Sequence, residues 1–135
     1  MRRNKNKHKS KEVHRLCEIT SPEKGEYQLK GRFWIEGKEG TFLGYGRVIL
    51  LERIKEYGSI SLAAKSMNMS YRHAWELVNS MNRQSKTPLV VSLSGGKGGG
   101  GTILTETGEK AIQTFWKFYE DFKKFLEEKT KEIEF

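Results

Sequence analysis

The sequence predicts an α+β domain, mainly α, and three observations carry that prediction. A helical apolar period begins near Tyr45, breaks at Asn68 and resumes at Ser70. Two strand-like runs, Pro88–Leu93 and Thr102–Thr105, flank the tract SGGKGGGGT. A long aromatic-rich helical pattern follows them to the C-terminus. Together they describe a winged helix-turn-helix with an N-terminal strand, a glycine-rich β-hairpin wing and a long C-terminal dimerisation helix. With 135 residues, one compact domain over 25–135 and a tail over 1–24 is the expected division.

Residues 1–24 are basic and lack an apolar period, so a disordered tail is expected there. In Tyr27–Glu36, apolar Leu29, Gly31, Phe33 and Ile35 alternate with mostly polar neighbours, which predicts one strand. Glu36–Gly40 supplies a turn, and Thr41-Phe-Leu returns beside the strand. From Tyr45, Val48, Leu51 and Ile54 follow helical spacing until Tyr57-Gly58 ends the segment. Ser59 and Ser61 offer caps for a short helix from Leu62 to Met67, which stops at Asn68, a residue that tolerates left-handed backbone. Ser70 then caps a helix from about Tyr71 to Arg83. Ala64 is the small residue required where two such helices cross, and Asn68 is the turn residue four positions later. Ala63, Met67, Met69, Ala74 and Leu77 fill the apolar positions.

The β-branched run Pro88–Leu93, the glycine tract and Thr102–Thr105 read as strand, loop and strand, hence a wing. The final helix, about 105–133, repeats Ile112, Phe115, Tyr119, Phe122 and Leu126 along one stripe, and Trp116, Phe118 and Phe125 broaden it. So much aromatic surface exceeds what one small domain covers. Ile112, Phe115, Tyr119, Phe122 and Leu126 are therefore the expected homodimer interface.

The formal charge of +8 is unevenly spread: +5 over residues 1–24, zero over 25–43, +5 over 44–102 and −2 over 103–135. A basic middle beside a mildly acidic C-terminal segment points to one face for a polyanion and another for something else. No run of eighteen apolar residues and no signal-peptide pattern occurs, so a cytoplasmic protein with no membrane partner is expected. Cys17 is the single cysteine. An internal disulfide and a cysteine-based metal site are thereby excluded within one chain, and His8, His14 and Cys17 are read as chance neighbours in a polar tail. No metal and no cofactor are expected.

The glycine tract admits a different reading. Gly96, Gly98 and Gly101 match the G-x-G-x-x-G spacing of dinucleotide folds, and Lys97 among glycines resembles a P-loop. Both motifs require a helix directly behind the glycines, whereas Thr102-Ile-Leu reads as strand. Lys97 is followed by four glycines, and no acid/base pair, metal cluster or nucleophile arrangement supports an enzyme. A nucleotide-binding enzyme therefore ranks third, behind a DNA-binding regulator and a protein-interaction adaptor using the aromatic C-terminal helix.

GSISLAAKSMNMSYRHAWELVNSMN followed by PLVVSLSGGKGGGGTILTETGEK resembles the DNA-binding domain of the molybdate-responsive transcription regulator family ModE, with LysR-like helix-turn-helix style. The glycine-lysine tract between two strands, ending in Leu-Thr-x-x-Gly, makes the likeness specific. It covers about residues 29–128 and is strongest from Gly58 to Gly108. The resemblance implies a sequence-specific transcription regulator that binds a palindromic operator as a homodimer. Full-length members continue into oxyanion-binding repeats that sense molybdate, which do not follow here, so no molybdate site is expected within this chain.

On this reading the helix at 71–83 enters the major groove of double-stranded DNA, presenting Ser70, Tyr71, Arg72, His73, Glu76, Asn79 and Arg83. Arg72 suits a bidentate contact to guanine, and Glu76 suits the cytosine amino group. Tyr71 and His73 suit bases or phosphates. Lys65, Arg47, Arg83, Lys86 and Lys97, with Gly98 at the tip of a wing spanning 95–101, suit phosphates. Trp75 is read as core or wing contact ahead of stacking on DNA.

Overall fold

A computed structural model of the chain describes residues 18–20, 25–93 and 101–135. The elements run β1 Glu18–Thr20, β2 Lys30–Arg32, β3 Ile35–Gly37, β4 Gly40–Leu43, α1 Tyr45–Tyr57, α2 Ile60–Ser66, α3 Tyr71–Gln84, β5 Val90–Ser92, β6 Thr102–Leu104 and α4 Glu106–Lys131. The strands form three two-stranded antiparallel ladders, β1 with β2, β3 with β4 and β5 with β6. Instead of the single domain expected, the chain divides into two compact units. One comprises Trp34–Phe115; the other comprises the residues up to Phe33 together with Trp116–Phe135.

That division breaks the single strand expected over Tyr27–Glu36. Lys30–Arg32 pair with Glu18–Thr20, whereas Ile35–Gly37 pair with Gly40–Leu43 across a register shift at Ile35/Glu36. The alternation itself survives the break, since Leu29, Gly31, Phe33 and Ile35 are all less exposed than Lys30, Arg32, Trp34 and Glu36. The period was legible, but the change of pairing partner left no mark in it. The expected tail over 1–24 is corrected at Glu18–Thr20, which form a strand with Ile19 buried.

In the Trp34–Phe115 unit the core is apolar and includes Val48, Leu50, Leu51 and Ile54 of α1, Ile60, Ala63 and Ala64 of α2, and Ala74, Val78 and Met81 of α3. Burial of each larger aliphatic side chain contributes about 1.5–3 kcal/mol. The helix α1 ends at Gly58, whose φ of 62° is left-handed and whose N–H donates to the Ile54 carbonyl at 2.8 Å. Its carbonyl then accepts from Thr102 N–H at 2.9 Å, so one glycine closes α1 and receives β6.

Between α2 and α3 the chain turns in four residues, Met67 to Ser70. Ser59 caps α2 by accepting from Leu62 N–H, which starts that helix two residues before the expected Leu62. At the other end Met69 N–H donates to Ala64 O at 3.0 Å and Asn68 N–H donates to Lys65 O at 3.2 Å. Asn68 has φ 53°, so the pair of bonds is a Schellman closure with asparagine in the left-handed position. Ser70 caps α3 at once, its Oγ accepting from His73 N–H at 3.1 Å.

The β5–β6 ladder is held by Asn82, which sequence patterning does not single out, and by Thr105. Asn82 Oδ1 accepts from Leu89 N–H at 2.9 Å and Val90 N–H at 3.2 Å, while its Nδ2 donates to Val90 O at 3.0 Å. Thr105 Oγ1 donates to Pro88 O at 2.6 Å and accepts from Gly108 N–H at 3.1 Å, capping α4. A Cβ on Gly108 would overlap the Leu89 carbonyl oxygen. The Leu-Thr-x-x-Gly motif is thus a cap followed by a close approach. Asn82→Ala leaves two part-buried N–H groups without acceptors, and the expected outcome is a loss of about 1–3 kcal/mol in unfolding free energy by urea titration.

Candidate nucleic-acid interface

At 100° per residue, the exposed residues of α3 sort onto one face. Tyr71, Trp75, Arg72, Arg83 and Glu76 fall within an arc of about 140°, with half-buried Asn79 among them, and the buried Ala74, Val78 and Met81 occupy an adjoining arc of about 60°. His73 is exposed at the border of that arc. Trp75 is 48% exposed and Tyr71 55%. The core placement expected for Trp75 is therefore corrected, while the wing residues it was expected to meet lie outside the described residues. Its place in the chain puts it about 60° round the helix from Val78 and about 100° from Ala74, at the edge of the buried stripe.

The electrostatics of the helix starts are distinctive. Helices α1, α2 and α3 have no acid in their first turn, while α4 opens with Glu106 and Glu109. In α3 the first turn instead carries Arg72 and His73. A cation there opposes the helix dipole, whose N-terminal end favours negative charge. The arrangement costs helix stability and leaves the amide ends and the Arg72 cation facing outward, where an anion satisfies both. Ser70 serves as the cap and keeps its hydroxyl proton for a further acceptor.

The other cations divide by what already holds them. Arg72 Nε donates to Glu76 Oε1 at 3.2 Å on the exposed face. Arg83 Nε donates to Glu39 Oε2 at 3.2 Å, tying α3 to the β3–β4 turn. Gln84 reinforces that tie, donating to Thr41 O at 3.0 Å and accepting from Glu39 N–H at 3.1 Å. Lys65, in the last turn of α2, and Lys86, just past α3, are exposed. Arg47 is different. Its Nη1 donates to Ser80 Oγ at 2.9 Å in a part-buried contact between α1 and α3. Burial lowers its pKa from the ordinary arginine value, though arginine remains protonated at neutral pH. Arg47 thus braces α1 against α3 through Nη1. Lys97 and Gly98 lie outside the described residues.

The expected dimer stripe is also redistributed. Phe115 and Leu126 are 0% and 2% exposed within the chain itself, so neither offers surface to a partner. Phe122 lies with its ring 6.2 Å from that of Phe33 and would be struck by a Cβ on Gly31. Tyr119 packs edge-on against Trp116 at 5.3 Å, and Ile112 is half-buried. The exposed aromatic residues of α4 are Phe118 and Phe125, seven positions apart on one side of the helix.

No family model matches the chain. Among curated proteins, it is 40% identical over 84 residues to "Molybdenum transport protein ModE" of Azotobacter vinelandii, covering 62% of this chain and 31% of that protein. It is 44% identical over 78 residues to "Molybdenum-pterin-binding protein MopB" of Rhodobacter capsulatus, covering 58% and 29%. It is 46% identical over 69 residues to "DNA-binding transcriptional dual regulator ModE" of Escherichia coli (strain K12), covering 51% and 26%. The chain thus spans about three tenths of the length of these relatives. Among solved structures, a LysR family transcriptional regulator aligns with TM-score 0.46 and 18% identity over 60% of this chain and 26% of that one.

The two classes of cation separate by experiment. Arg47→Ala is expected to lower unfolding free energy by about 1.5 kcal/mol, the low end for a charged hydrogen bond because Ser80 keeps a second donor in Gln84. Lys65→Ala is expected to change it by less than about 0.5 kcal/mol. Chemical denaturation of the two variants checks both.

Proposed function

We propose that this chain is a sequence-specific DNA-binding transcription regulator that places α3 in the major groove. The observation that carries the reading is the exposed face of α3. It combines Tyr71, Arg72 and Trp75 with a first turn that bears two basic residues and no acid. Neither a solvated surface helix nor a partner-binding apolar helix favours that composition, whereas a polyanion with readable base edges does. The similarity to regulators whose names include DNA binding and transcription supports the same conclusion.

In this reading Arg72 contacts guanine, and Trp75 and Tyr71 supply apolar contact to thymine methyl groups or sugars. Lys65 and Lys86 hold phosphates, and Arg83 does so by exchanging its contact with Glu39. The β5–β6 ladder is the base of the wing, with Lys97 and Gly98 toward its tip at a phosphate backbone. Two copies bind a palindromic operator, with half-sites about one helical turn apart. Their contact runs through Phe118 and Phe125 of α4, whose exposed rings are the apolar surface that a second copy covers.

Three outcomes are expected. Selection from a random duplex library recovers a defined, two-fold symmetric motif, and failure to enrich any motif sinks the reading. Neutralising about eight phosphates gives a slope of roughly −7 for log affinity against log salt. Arg72→Ala weakens specific binding by about 1–3 kcal/mol at one base pair, measured by titration against single-base variants of the motif. The homodimer has its own check, since paired substitution of Phe118 and Phe125 by serine is expected to give a monomer in sedimentation velocity with the helical signal retained.

A further inference from the structure

We infer that Arg72 and Glu76 form one base-reading unit, in which Glu76 is a positioning residue that holds the Arg72 guanidinium by its Nε edge. The inference rests on the DNA-binding reading above and changes the part expected of Glu76, from contact with a cytosine to orientation of its neighbour. Arg72 Nε and Glu76 Oε1 are 3.2 Å apart, one helical turn apart in sequence, and the side chains are 88% and 55% exposed.

Helix stability does not account for this pair. Ion pairs at this spacing favour the acid on the N-terminal side, in keeping with the helix dipole, and here the order is reversed. Removing Glu76 would also lower the negative charge on a face turned toward a polyanion. On charge alone, the carboxylate weakens binding to every sequence alike.

Donor geometry supplies the missing role. A guanidinium carries five N–H groups in a rigid planar fork. With Nε spent on Glu76, the terminal nitrogens remain as a parallel pair of donors, and guanine presents O6 and N7 as a parallel pair of acceptors. An arginine this exposed samples many rotamers, and contact with Glu76 restricts it before DNA arrives, reducing the entropy lost on binding. The carboxylate thus exchanges uniform affinity for discrimination at one base pair.

The test compares the wild-type chain with Arg72→Ala, Glu76→Ala, Glu76→Gln and the double Ala variant. Each is titrated against the selected motif, its single-base substitutions and random duplex. Thermal unfolding and far-ultraviolet circular dichroism confirm the fold of each, since both side chains are exposed. The expected result is that Arg72→Ala and Glu76→Ala each lose about 10-fold preference at the same G·C pair. The double variant then loses no more than either single one. Glu76→Gln keeps part of the preference, because its carbonyl oxygen still accepts from Nε, and Glu76→Ala binds random duplex at least as tightly as wild type.

Loss of preference at a different base pair in Glu76→Ala, losses that add in the double variant, or uniform tightening with preferences intact would each overturn the inference and leave the DNA reading standing. So would full preferences in Arg72→Ala. If the wild-type chain enriches no motif at all, the regulator reading falls and the inference falls with it.

Discussion

The conformation of Asn68 sets the geometry on which the candidate interface depends. A left-handed residue there lets the N–H groups of Asn68 and Met69 return to the last turn of α2, and Ser70 begins α3 with no intervening chain. Two helices joined so tightly must touch, and Ala63, Ala64 and Ala74, with side chains no larger than a methyl group, are all essentially without solvent exposure. An ordinary residue at position 68 incurs strain in that backbone, and a larger one at 64 or 74 overfills the crossing. The angle at which α3 leaves the turn decides which side chains face outward, so the contents of the exposed arc follow from that one dihedral.

Much of this was legible in the chain because it is local. Capping hydroxyls, a left-handed asparagine, alanines at a crossing and the bounds of α1 and α3 all depend on residues within four positions of one another. What escaped is non-local. The split of one alternating segment into β2 and β3 depends on partners at residues 18–20 and 40–43, and period alone does not name a partner. The depth of Phe115 and Leu126 depends on what covers them, so an aromatic stripe fit for a partner could not be told from one already used within the chain. Trp75 shows the converse error, where size and apolarity suggested an interior place but the side chain is half exposed.

Charge counting in the sequence also treated unequal cations as equal. Arg47 is half-buried and braced by Ser80, and Arg83 is paired with Glu39, while Lys65 and Lys86 are exposed. Asn82, carrying no charge and no conspicuous pattern, does more to join α3 to the β5–β6 ladder than any of them. Through it, a displacement of α3 is transmitted to the strands at the base of the proposed wing by three hydrogen bonds.

The acid-free start of α3 marks a place where folding and use pull against each other. An aspartate or glutamate at Tyr71 or Arg72 would satisfy the helix dipole and make a more stable isolated helix. It would also put a negative charge where the proposed ligand is most negative. Engineering this chain for thermal endurance by the usual helix-capping rules would improve the protein as a folded object while dismantling the proposed reading surface. Stability screens alone would reward such variants, so any effort to harden this scaffold needs a binding measurement beside the melting curve.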